Sequence, residues 1–152
     1  MKKQITQIRD IEEIEKHLIQ AQSGVICIHL ENEKVMQFAC NFIYLDKNIY
    51  TYLDSTDENY EHVKYGSAGS FSVSSSEKLT GKIKEFTYIL SYITINGEIK
   101  EVDDSKLKDQ IAELYRLKYS PSIKADEYDI MENLKPVILD TNEIKALIEE
   151  GI

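Results

Sequence analysis

The stretch GVICIHLENEKVMQFACNFIYLDKNIYTYLDSTDENYEHVKYGSAGSFSV, residues 24–73, decides how this chain folds. From Gly24 to Leu30 it is continuously apolar, as expected of a strand covered on both faces. Glu31-Asn32-Glu33 supplies a polar turn, and residues 34–45 read as a long second strand. Asp46-Lys47-Asn48 is a second turn, with Asn48 the residue suited to a positive φ, and 49–53 is a third strand. Three strands on two short connections predict an antiparallel meander. Thr56 or Asp57 then caps a short helix over 58–64 that stops near Gly66, and 70–75 is a fourth strand. Hydroxyls and free N–H groups at a helix start bind anions, so the segment has the plan of a cofactor cradle with an anion-binding corner.

Working outward, Ile5, Ile8, Ile11, Ile14, Leu18 and Ile19 recur at helical spacing and predict a first helix. Asp10 and Glu13 form a capping-box pair if the helix proper starts there, and Gly24 is placed to stop it. Downstream, 77–84 is a polar connection and 86–95 an alternating strand. Asn96-Gly97 is either a hairpin turn or a bulge with 98–102 continuing the strand. Asp103-Asp104-Ser105 caps a helix whose buried face is Leu107, Ile111, Leu114 and Leu117 or Lys118. Residues 135–140 are a last strand with Pro136 at its start or on an edge, and 141–150 a terminal helix capped by Thr141. The sum is a mainly β, α+β chain: a small six-stranded antiparallel barrel with flanking helices.

Bulk properties bound the function. The 152 residues fit a single domain, 1–152. A formal charge of −9, from 18 basic and 27 acidic residues, disfavours nucleic acid or an anionic membrane as partner. The uncharged stretches at 35–45 and 86–97 are about a dozen residues long, against roughly 20 for a membrane span. The N-terminal MKKQITQIRD has no apolar segment behind its lysines, so no secretory signal is expected and the address is cytoplasmic. Cys27 and Cys40 lie in apolar strand-like runs and read as buried reduced thiols. No Cys/His cluster suggests a structural zinc site.

This order of elements resembles the flavin-binding split-barrel superfamily, the pyridoxamine phosphate oxidase-like and small FMN-binding proteins. The residues that carry it are IYTYL at 49–53, NYEHVKYGS at 59–67, GSFSV at 69–73, and YITINGEIKEVDD at 92–104 followed by a helix ending in LKYS. The resemblance covers most of 7–148 and implies a homodimeric split barrel with FMN at its interface. It places the flavin ring along Cys40, Asn41 and Phe42 with Tyr52 opposite. It places the phosphate at Ser55, Thr56 and the start of the following helix, near Asn59, His62 and Lys64. Asn59 stands where the family pattern has a lysine, and Ala39 near a family arginine. Asp54, Asp57 and Glu58 surround the same corner.

Other residues read as structural. His17 belongs to a helix surface, and His29 is a half-exposed or hydrogen-bonded strand residue. Ten tyrosines and no tryptophan point to barrel-wall and interface packing, with Tyr44, Tyr50, Tyr52, Tyr88 and Tyr92 on strands. No acid/base pair stands out as catalytic. The leading expectation is an FMN-binding flavoprotein acting in redox chemistry on a small molecule. The alternatives are a haem-handling split barrel, whose short helix the NYEH of residues 59–62 loosely resembles, and a dimeric scaffold that has lost its cofactor.

Overall fold

The computed structural model describes residues 3–80 and 86–151, with the side chains of 4–75 and 90–150. Eight strands and two helices follow in the order β1 (Lys3–Ile8), α1 (Ile11–Gln20), β2 (Gly24–His29), β3 (Val35–Cys40), β4 (Ile43–Leu45), β5 (Asn48–Asp54), β6 (Ala68–Thr80), β7 (Phe86–Glu101), α2 (Ser105–Tyr119) and β8 (Leu134–Gly151). All pairings are antiparallel, in the sheet order β3-β2-β6-β7-β8-β5-β4, with β1 added on β8. The expected α+β split barrel is present, with eight strands where six were read.

The differences have physical causes. Residues 5–8 are not the start of the first helix but part of β1, held by its register with residues 146–149 of β8. The helix proper begins where Asp10 accepts the Glu12 N–H at 3.0 Å, and Glu12 and Glu13 suit its positive end. Ala21 ends it, so Gly24 is not a helix stop. Gly24 instead opens β2, where a Cβ would collide with the Phe71 ring and come within 2.9 Å of the Ser72 carbonyl oxygen. The second predicted strand breaks into β3 and β4 at Asn41-Phe42. No continuous meander forms, because β3 pairs with β2 and β4 with β5 at opposite ends of the sheet order. The turn before β5 is a two-residue one, with Asp46 and Lys47 at φ 50° and 67° in place of Asn48. Asn48 uses its side-chain oxygen to accept the Thr141 N–H at 2.9 Å.

The short helix expected over 58–64 is a single 3₁₀ turn, Tyr60–His62. Three residues cannot present the row of free N–H groups that the anion-corner argument required. The terminal helix expected over 141–150 is the second half of β8, because β7 and β1 pair with it on its two edges. Helical spacing of Ile144, Leu147 and Ile148 is outweighed by that pairing. Asn96-Gly97 is the bulge, where the β7–β8 register shifts. The polar connection at 77–84 lies partly outside the described residues, and 77–80 extend β6.

Two apolar clusters hold the fold. Ile14 and Leu18 of α1 pack into the barrel with Ile26, Ile28, Phe42, Ile49, Phe71, Ile95, Ile99 and Leu139. Ile111 and Tyr115 of α2 pack outside it on Ile43, Tyr50 and Val102. Thus β5 is covered on both faces, Ile49 and Leu53 inward and Tyr50 outward. Leu117, offered for the buried face of α2, is 52% exposed, and Tyr115 takes that role.

Candidate functional site

β3 and β4 stand at the two ends of the main strand order, yet only Asn41 and Phe42 separate them in sequence. The sheet must therefore curl until its edges approach each other, and the seam between them is where the barrel is split. In β3 the half-buried residues are Met36, Phe38 and Cys40, every second position, so one face of this strand lines the seam.

A cleft of about 440 Å³ opens there. Met36, Gln37 and Phe38 form one wall, Tyr52, Leu53 and Asp54 the other, and Asp57, Asn59, Tyr60 and Leu134 complete it. Its floor is aromatic and apolar, the surface that a planar ring prefers. Burial pushes the Tyr52 hydroxyl up to about 12, so it stays a neutral donor. Tyr52 also meets Tyr115 edge-on, with ring centroids 4.8 Å apart, which fixes its orientation from behind.

Of the residues expected at the site, Tyr52 and Asn59 line the cleft. Cys40 shares the face of Met36 and Phe38, and burial raises its thiol pKa. Both Cys40 and Cys27 are half-buried free thiols. Asn41 has an exposed side chain, but its carbonyl oxygen accepts from the Thr51 hydroxyl at 2.7 Å and from the Tyr115 hydroxyl at 2.9 Å. Phe42 is fully buried against Phe71. Its N–H reaches the Tyr119 hydroxyl at 3.0 Å, and its carbonyl accepts from Lys118 at 3.1 Å. The backbone groups expected to serve a ring edge are thus engaged by α2.

The expected phosphate corner is engaged too. The Asp54 carboxylate accepts the Thr56 hydroxyl at 2.7 Å, the Thr56 N–H at 2.9 Å and the Asn133 amide at 2.9 Å. Those bonds, Thr56's hydroxyl and Asn133 foremost, hold its carboxyl below the usual range. Ser55 gives its N–H to the Asn133 carbonyl, and Asn59 gives its N–H to Asp57 at 2.8 Å. Lys64 is exposed and does not line the cleft; its N–H bonds the His29 carbonyl. His62 is exposed in an adjoining hollow, with ring nitrogens 3.8 Å from Glu31 and 3.4 Å from Glu61. His17 and His29 are exposed. Among the described residues no group of three or more His, Cys, Asp or Glu is placed to hold a metal ion, and no helix is long and apolar enough to cross a membrane.

The aromatic and apolar lining suits a planar ring, whereas at the expected phosphate corner the protein's own Asp54 carboxylate already takes both donors of Thr56. Sequence reasoning missed Met36, Phe38 and Tyr60 as lining, although the alternation M-Q-F-A-C put the first two on one face. It also missed Tyr115 and Tyr119, whose i,i+4 spacing in YRLKY was the available signal.

No family model matches the chain, and no curated protein matches it in sequence. Solved structures do. A candidate 5-nitroimidazole antibiotic resistance protein of Bacteroides thetaiotaomicron superposes with a TM-score of 0.78 at 13% identity, over 99% of this chain and 90% of that one. An FAD- and haem-binding protein of Mycobacterium smegmatis gives 0.69 at 10% identity, over 93% and 71%. A protein of Corynebacterium glutamicum described as a candidate pyridoxamine 5'-phosphate oxidase gives 0.58 at 12% identity, over 95% and 98%. At such identities these likenesses show the fold alone.

Proposed function

From the premise that this chain has the split-barrel fold of the pyridoxamine 5'-phosphate oxidase-like proteins, we infer that it is a flavin-binding protein. The single observation that carries the inference is the seam cleft, lined by Met36 and Phe38 of β3 and by Tyr52 and Leu53 of β5. A flavin bound there supplies hydride or electron transfer, and the chain supplies the binding surface. Phe38 and Tyr52 stack on or flank the ring, Met36 and Leu53 keep water from its face, and Tyr52 offers a neutral hydroxyl.

FMN is the flavin that the sequence pattern favours, and redox chemistry on a small molecule in the cytoplasm is the activity it would serve. The same reading makes the protein a homodimer with the flavin at the subunit interface. Haem is served less well. Its propionates would meet Asp54 and Asp57, and both His62 nitrogens face carboxylates.

The deciding measurement is the visible spectrum of the freshly purified chain, followed by flavin and haemin titrations with light scattering to give subunit number. Flavin absorption, or saturable quenching of added flavin, supports the reading. A colourless protein that binds no flavin and shows no flavin-induced thermal shift refutes it and leaves a cofactor-free scaffold.

A further inference from the structure

The charge around the cleft discriminates among flavins. Asp54 and Asp57 line it, and among the described residues no lysine or arginine does. Lys34 lines the adjoining hollow, where Glu31, Glu58 and Glu61 outnumber it. Of the donors beside the carboxylates, Thr56's hydroxyl and N–H are taken by Asp54 and Asn59's N–H by Asp57. An entering phosphate dianion would stand beside both carboxylates. Like charges in such a site disfavour one another. A neutral polyol tail meets the opposite situation, since its hydroxyls can donate charge-assisted hydrogen bonds to Asp54 and Asp57.

We propose that the seam cleft selects flavins lacking a terminal phosphate, a riboflavin-type ring with a neutral polyol tail, over FMN. The selection rests on the ring-binding reading above and sharpens it by assigning Asp54 and Asp57 as the residues that set specificity.

The test is titration of the full chain with riboflavin and with FMN near neutral pH, read by quenching of flavin fluorescence at low and at high salt. Riboflavin should bind about tenfold more tightly, equivalent to ~1.4 kcal/mol. Salt should strengthen FMN binding by screening the repulsion and leave riboflavin binding unchanged. In the D54N/D57N double variant the amide oxygens can still accept the Thr56 and Asn59 N–H groups, so the turns persist. The preference for riboflavin should then shrink to about twofold or less, roughly 0.4 kcal/mol. FMN binding more tightly than riboflavin, or weakening as salt rises, overturns the selection and leaves the ring reading standing. Failure of both flavins to bind overturns the two together.

Discussion

The hydroxyl of Tyr115 lies 2.9 Å from the carbonyl oxygen of Asn41, a hydrogen bond spanning 74 positions of sequence. It also reaches the Tyr50 carbonyl at 3.2 Å, so one phenol on α2 ties the β3–β4 link to β5. Tyr119 repeats the device one turn later, accepting the Phe42 N–H and donating to the Gln22 carbonyl at 2.8 Å. The split in the barrel is therefore fastened from outside by a helix.

Tyr115→Phe removes that fastening without changing the shape of the core. It should cost about 1–3 kcal/mol, because buried carbonyls lose a donor. Urea unfolding should show a lower midpoint at unchanged slope. A midpoint equal to that of the parent chain would show that the phenol contributes only packing.

Lys118 makes stability depend on alkaline pH. Its ammonium lies 4.0 Å from the centroid of the Phe42 ring, and partial burial lowers its pKa to about 8. In the unfolded chain the group titrates near its ordinary value, so between about pH 8 and 10 the unfolded state holds more protons and stability rises with pH. Above about pH 10 the sign reverses. Burial pushes the Tyr44 and Tyr52 hydroxyls up to about 12, so unfolding releases protons and stability falls. Thermal melts across this range should pass through a maximum. Lys118→Met should flatten the rising limb and leave the falling limb in place.

Gly24→Ala tests the close approach of β2 to the core. The new methyl would strike the ring of Phe71, itself wedged against Phe42 with centroids 4.6 Å apart. Overpacking of this kind should cost about 1–3 kcal/mol, seen as a lower melting temperature. If the residue's role were only to end α1, the variant would melt like the parent.

Phe38→Ala tests the floor of the cleft. The ring is half-buried on an edge strand, so the variant should fold. Loss of an aromatic contact should weaken flavin binding about tenfold, from roughly 1.5 kcal/mol of stacking. Unchanged affinity in the riboflavin titration would move the ring elsewhere.

Residues 24–73 showed their strands in sequence because each segment has a clean apolar period and a polar turn after it. Their partners were less legible. Nothing in 34–45 says that Cys40 belongs to one sheet edge and Ile43 to the other, since a break of two residues leaves no mark when both are apolar or amide. Ile5 and Ile8, like Ile144 and Ile148, fit helical spacing, and only the pairing of β8 with β1 and β7 decides the matter. The cleft was half legible. Tyr52 and Asn59 follow from position along the chain, whereas Met36 and Phe38 join them only because the sheet closes on itself. Asp54 was visible as a charge near the expected phosphate, but not as the acceptor that takes Thr56's donors.

The 18-residue β8 pairs with β7, with β5 and with β1. During synthesis those strands emerge first, and β5 and β7 must carry open edges until residues 134–151 leave the ribosome. The first of the described strands, β1, finds its partner only in the last of them, β8. Closure is thus a late event dominated by long-range contacts, which places folding on the slow side for a chain of this size. The unpaired edges of β5 and β7 are the surfaces on which a nascent chain would aggregate or meet a chaperone.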